Sequence, residues 1–131
     1  MKGTIYMQTV DKIIMITMAV TDMTKAKEFY AEKLGLEVTQ DYRQDDDNWW
    51  VTLTLPEGGP TITLSTNHAH MKPGTMNLYL ATSDVAATRE KLISKGVAVS
   101  EVQDDLYGPG SGVKFVTLDD PDGSKLLLVQ E

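Results

Sequence analysis

The sequence predicts an α+β fold built from two βαβββ modules, and three observations carry that prediction. A pattern of strand, Asp cap, helix, Gly stop and strand occurs twice; each copy is followed by two strands around a turn; and the strands alternate apolar with mixed residues. The first copy runs from Val20-Thr21-Asp22-Met23-Thr24 through Phe29-Tyr30 and Leu34 to Gly35-Leu36-Glu37-Val38. The second runs from Ala81-Thr82-Ser83-Asp84-Val85 through Leu92 to Gly96-Val97-Ala98-Val99. The modules span about 12–67 and 75–130 and together make one domain, a usual size for 131 residues.

On the first strand Ile14, Ile16, Met18 and Val20 share one side, and Met15, Thr17 and Ala19 share the other. The helix over 22–34 takes Asp22 or Thr24 as its N-cap and Gly35 as its left-handed stop, with Ala26, Phe29, Tyr30, Lys33 and Leu34 along its inner stripe. From Trp49 to Leu55, Val51, Leu53 and Leu55 should face the helix, and Trp50, Thr52 and Thr54 should face away. After the turn Pro56-Glu57-Gly58-Gly59-Pro60, Ile62 and Leu64 oppose Thr61, Thr63 and Ser65. The second module repeats this with a helix over 84–95, a strand from Val113 to Leu118, the turn Asp119-Asp120-Pro121-Asp122-Gly123, and a strand from Lys125 to Gln130. Each sheet thus has an oily face and a mixed face. A pseudo-twofold with the helices outside would curl the mixed faces into a cup.

Twelve Lys and Arg against nineteen Asp and Glu give a net charge of −7, which repels nucleic-acid backbones and anionic membranes. Cysteine is absent, which removes disulfides, thiolate nucleophiles and cysteine metal sites. The start, Met1 to Gln8, lacks the apolar run of a secretion signal, so a cytoplasmic protein is expected. No Gly-x-Ser-x-Gly elbow occurs, and Gly108-Pro109-Gly110-Ser111-Gly112 lacks the Lys and the following helix of a phosphate loop.

Ile14 to Asp22, Phe29-Tyr30 before Leu34-Gly35-Leu36, the helix from Asp84 to Gly96, and Asp120-Pro121-Asp122-Gly123-Ser124-Lys125 followed by Leu126-Leu127-Leu128 resemble the vicinal oxygen chelate superfamily. That superfamily holds glyoxalase I, bleomycin-resistance proteins, fosfomycin-resistance enzymes and extradiol dioxygenases. The resemblance implies paired βαβββ modules forming a cup, often in a homodimer, with four His or Glu side chains converging on a divalent ion. This sequence departs at each of the four places, which hold Met15, Thr63, Asn77 and Leu127. A thioether, a hydroxyl, an amide and an alkyl group do not make a site for a hard cation, so no cofactor is expected. A divalent metal could bind only at a non-standard site using His68 and His70. These lie two apart in Thr66-Asn67-His68-Ala69-His70-Met71-Lys72-Pro73-Gly74 and read more simply as solvated loop residues.

The expected cup lining is aromatic and uncharged: Met15, Trp50, Thr52, Thr63, Asn77, Tyr79 and Tyr107, with Trp49 in the core or at a dimer interface. Ordinary packing is the alternative for each, and the glycine-rich loop carrying Tyr107 either covers a pocket or simply connects strands. Asp45-Asp46-Asp47 reads as a solvated loop. The function that follows is sequestration of a small aromatic or amphipathic compound by a dimer, with no nucleic-acid or membrane partner. The alternatives are a superfamily enzyme, whether lyase, isomerase or dioxygenase, and an interaction module whose cup is filled by its own side chains.

Overall fold

The structure, a computed structural model, describes residues 8–131; most of the amino-terminal start, on which the secretion-signal reading rests, lies outside the described residues. β1 (Met15–Ala19) leads into α1 (Met23–Lys27), which continues as a π-helical turn over Glu28–Lys33, and β2 (Glu37–Asp45), β3 (Asn48–Thr54) and β4 (Thr61–Ser65) complete the first module. The second contains β5 (Asn77–Thr82), α2 (Val85–Ser94), β6 (Phe115–Asp119) and β7 (Lys125–Gln130). The sheet orders are β1-β4-β3-β2 and β5-β7-β6. In both, the first strand lies parallel to the last, Met15 beside Thr61 and Asn77 beside Lys125. The duplication legible in the sequence is therefore kept in the register.

The caps form as the residue types require. Asp22 accepts from the Lys25 N–H at 3.1 Å and Asp84 from the Ala87 N–H at 3.0 Å, which selects Asp22 over Thr24. Gly35 and Gly96 end the helical segments at φ 81° and 84°. The first helix differs from a plain α-helix, because Leu34 N–H reaches back five residues to the Phe29 carbonyl at 3.0 Å. Consecutive Phe29 and Tyr30 are both buried, with their rings edge to face at 5.1 Å.

The strand expected at Gly96-Val97-Ala98-Val99 is not formed. This segment instead touches β6 through the Ser100 N–H to the Thr117 carbonyl at 3.0 Å and a reciprocal pair between Gln103 and Phe115. The Ser100 hydroxyl accepts the Thr117 N–H at 2.9 Å, so a side chain takes the place a ladder carbonyl would hold.

Met18, Val20, Val51, Leu53, Ile62 and Leu64 form one buried cluster with Leu78, Val116, Leu118, Leu126 and Leu128. Ile14 departs from its expected face at 71% exposed, because it lies ahead of β1 in a segment that is open from Val10 onwards. The paired-module fold is the one the sequence predicts, but the packing within one chain differs from the expected arrangement. The helix-bearing faces of both modules meet in the shared core, and the mixed faces lie on the outer sides, with Met15 and Tyr79 exposed and Thr52, Thr63 and Ser65 buried. The reason is area: both oily faces and both helix stripes are covered at once when they share a single core.

Polar bonds lock that junction. The Tyr30 hydroxyl donates to the Asp120 carboxylate at 2.7 Å, and the Thr21 hydroxyl and N–H donate to Asp122 at 2.5 and 3.2 Å. Asp120 also accepts the Asp122 and Ser124 N–H groups at 3.0 and 2.8 Å. The Ser124 hydroxyl accepts the Met76 N–H at 3.1 Å. Gly74 lies so close to the Asp122 carbonyl that a Cβ would collide with it. Among the described residues no buried side-chain polar atom lacks a partner.

Tyr30→Phe is expected to cost about 1–3 kcal/mol in urea unfolding, because it leaves the buried carboxylate short of a donor. Burial, and then the Asp120 hydrogen bond, raise the ionisation of Tyr30 above its ordinary 10.0. The folded chain thus keeps a proton that the unfolded chain releases. The associated stability is full below pH 10.0 and declines as the pH rises beyond it. Urea titrations at about pH 9 and pH 11 should show a shallower alkaline decline in Tyr30→Phe than in the wild type.

Candidate functional site

The open face of the first sheet is built by strand alternation. Trp50 pairs with Ser65 and Thr52 with Thr63, so these four share a face with Met15 and Thr17 of β1. The Thr52 and Thr63 hydroxyls are 3.2 Å apart and both residues are buried. Across β2, Tyr42 pairs with Trp50, and the two rings tilt at 31° with centroids 5.5 Å apart. Tyr42 is absent from the sequence-based set of candidates. Counting back from a hairpin closed by Asp45 and Asn48 would place Arg43 opposite Trp50; the register shift between Arg43 and Asp45 puts Tyr42 there instead, and no local sequence signal announces it.

The second sheet presents Asn77 and Tyr79 on β5 and Leu127 on β7, with Tyr79 beside Leu127. Tyr79 is 55% exposed and Met15 46%, and Asn77 is also exposed. The structure therefore brings Met15, Trp50, Thr52 and Thr63 onto one sheet and Asn77, Tyr79 and Leu127 onto the other; Met15, Asn77 and Tyr79 are exposed, Trp50 and Leu127 half-buried, and Thr52 and Thr63 buried. Tyr107 lies on neither sheet. It is 73% exposed in a loop held by its own turns, Gly108 N–H to the Asp105 carbonyl at 2.9 Å and Ser111 N–H to the Gly108 carbonyl at 3.1 Å.

Trp49 takes the other side of β3. It packs partly against the core, donates its indole N–H to Asp41 at 2.7 Å, and lies under the Arg43 guanidinium at 4.2 Å from ring centre. Lys27 pairs with Asp41. That ammonium, and then the indole N–H, hold the Asp41 carboxyl below its usual range. Trp49 is thus committed to structure, and Trp50 lies half-buried against Tyr42 on the opposite face.

The chemistry at the four family positions does not fit a divalent cation. Met15 offers a thioether, Asn77 an amide and Leu127 nothing, and the Thr63 hydroxyl is engaged with Thr52. His68 Nε2 sits 2.6 Å from the Val20 carbonyl, which can only accept, so that nitrogen carries the proton and is occupied. His70 is exposed in the neighbouring turn. Among the described residues no three His, Cys, Asp or Glu side chains gather as a metal site, and no helix is long and apolar enough to cross a membrane.

Comparison with known proteins agrees with this architecture. The model of the Glyoxalase/Bleomycin resistance protein/Dioxygenase superfamily matches residues 12–128. The structure is similar to that of TnmS3, an antibiotic binding protein from Streptomyces sp. CB03234, with a TM-score of 0.81 and 26% identity over 95% of this chain and 98% of that one. A glyoxalase/bleomycin resistance protein from the same Streptomyces gives 0.75 and 27% over 91% and 100%. A superfamily member from Sphaerobacter thermophilus DSM 20745 gives 0.77 and 26% over 93% and 98%. No protein of curated function matches the sequence.

Replacing His68 with Ala should cost about 1 kcal/mol through loss of the Val20 bond, with metal content unchanged by elemental analysis. EDTA should leave Tm where it is. A stoichiometric ion that disappears in His68→Ala would instead assign the histidine loop to metal binding.

Proposed function

The chain belongs to the glyoxalase/bleomycin resistance protein/dioxygenase superfamily, and we propose that it is a binding protein that sequesters a planar aromatic or amphipathic small molecule without the family's metal. The observation that carries this reading is the Tyr42–Trp50 pair on the outer face of the first sheet. Two adjoining aromatic rings offer a stacking surface. The description of TnmS3 as an antibiotic binding protein supports a ligand of this size class. Sequestration needs only affinity, which suits a face whose side chains include no nucleophile or charged acid–base pair.

A half-exposed Met15 and Tyr79 also support a homodimer in which a second copy supplies the missing wall. In this arrangement the first-sheet face of one copy meets the second-sheet face of the other, so that Met15, Trp50, Thr52 and Thr63 share a cup with Asn77, Tyr79 and the loop bearing Tyr107. Nucleic acid and membranes are not partners in this reading, and the acidic, cysteine-free chain acts in the cytoplasm.

A panel of planar aromatic compounds should quench tryptophan emission and raise Tm, adding about 2.7 kcal/mol of stability at ~100 times the dissociation constant. Trp50→Ala should abolish the shift while the protein stays folded, because the side chain leaves an open face and no core cavity. Sedimentation should show a dimer that Tyr79→Glu weakens together with binding. Turnover of the bound compound would convert the reading to an enzyme, and a panel that moves neither signal would remove it.

A further inference from the structure

An opening at the junction of the two modules includes none of the aromatic-face residues, and its chemistry is different. The carboxyl end of the first helical segment, the end of β3, β5 and α2 enclose a cleft of about 350 Å³. Its floor is Leu34, Leu36, Leu55, Leu80, Leu92 and Leu128, and Lys33, Lys91 and Lys95 stand around it. Among the described residues no Asp or Glu lines it; Glu57 and Glu131 line an adjoining opening that shares Leu55, Pro56, Ala81 and Thr82. Three of the twelve basic residues of a chain with net charge −7 therefore gather at one apolar opening.

None of the three lysines pairs with a carboxylate among the described residues, whereas Lys27 and Lys125 do. Lys95 is already in use, bonding the Glu32 and Lys33 carbonyls at 3.0 and 3.3 Å across the module junction. Lys33 and Lys91 are left to offer their charge to the opening. The Thr82 and Thr88 hydroxyls, 2.7 Å apart on its wall, offer further polar contacts.

We propose that this cleft is a second binding site, for a small amphiphilic carboxylate whose apolar body lies on the leucine floor and whose anionic head meets Lys33 and Lys91. The apolar floor excludes a bare inorganic anion as the best fit, since covering the half-buried Leu34, Leu55 and Leu80 is what the body contributes. The charge of Lys33 and Lys91 disfavours a cationic amphiphile for the same reason that it favours a carboxylate. The volume lies within the range of small-molecule sites.

Sodium octanoate is the probe, titrated into the full chain by calorimetry and by methyl-region NMR, with 1-octanol and octyltrimethylammonium as neutral and cationic controls. Octanoate should bind more tightly than either control, with methyl shifts concentrated on Leu34, Leu80, Leu92 and Leu128. Lys33→Glu combined with Lys91→Glu should weaken octanoate by about tenfold, since two attractive charges at a partly desolvated rim become repulsive. Lys91→Gln alone, on an exposed helix position, should give a smaller loss with the fold unchanged by circular dichroism. The proposal is overturned if octanoate does not bind, if octanol binds as well, or if the charge reversal changes nothing. Shifts confined to Met15 and the aromatic side chains of the open face would also overturn it, because they would place the anion in the aromatic site.

Discussion

The hydrogen bond from Tyr30 to Asp120 is the constraint on which the arrangement of the two modules depends. The sheets share no strand, so no backbone ladder aligns them. Apolar contact alone is non-directional and would tolerate sliding of one oily face over the other. A carboxylate that is only 6% exposed does not tolerate it, because losing a donor there costs its full desolvation. Asp120 is held within its own turn by two backbone N–H groups and across the junction by the Tyr30 hydroxyl. The same turn presents Asp122 to Thr21 at the end of β1 and packs against Gly74 in the linker. One buried acid thereby positions the first strand, the first helix and the β6–β7 turn relative to one another.

With the oily faces committed to each other, the mixed faces lie on the outer sides of the two sheets, and each chain carries two different half-surfaces. The first has the Tyr42–Trp50 pair and the threonine hydroxyls, and the second has Asn77 and Tyr79. The adjacent tryptophans show how strand alternation separates structure from surface. Trp49 is tied down by Asp41 and Arg43 on the helix side, and Trp50 is presented on the other side with its ring beside Tyr42. A substitution at one should act on stability and at the other on binding.

The module junction that hides the helices also creates the leucine-floored cleft, because two helix ends and two strand ends cannot fill the seam completely. Its lysines come from distant parts of the chain, Lys33 from the first module and Lys91 and Lys95 from the second. No local charge run announces this cluster. The acidic run Asp45 to Asp47 is conspicuous in the sequence and proves to be turn chemistry, with Asp45 accepting from the Asp47 N–H at 2.9 Å and the Asn48 amide at 3.1 Å.

The sequence by itself determined the module repeat, the polar caps and Gly stops that bound each helix, and the apolar side of most strands. These follow from local periodicity and residue type, which act over a few bonds or one turn. Only the tertiary structure decided that the helix-bearing faces meet within one chain, since alternation says which face is apolar and not what covers it. It also decided that Ser100 would replace a ladder carbonyl, that Phe29 and Tyr30 would both turn inwards through a π-helical turn, and that Tyr42 would stand beside Trp50. The last depends on hairpin register, which shifts between Val38 and Gln40 and again between Arg43 and Asp45. A one-residue slip in a strand exchanges its faces, so the aromatic pair is settled only where the two strands actually hydrogen-bond.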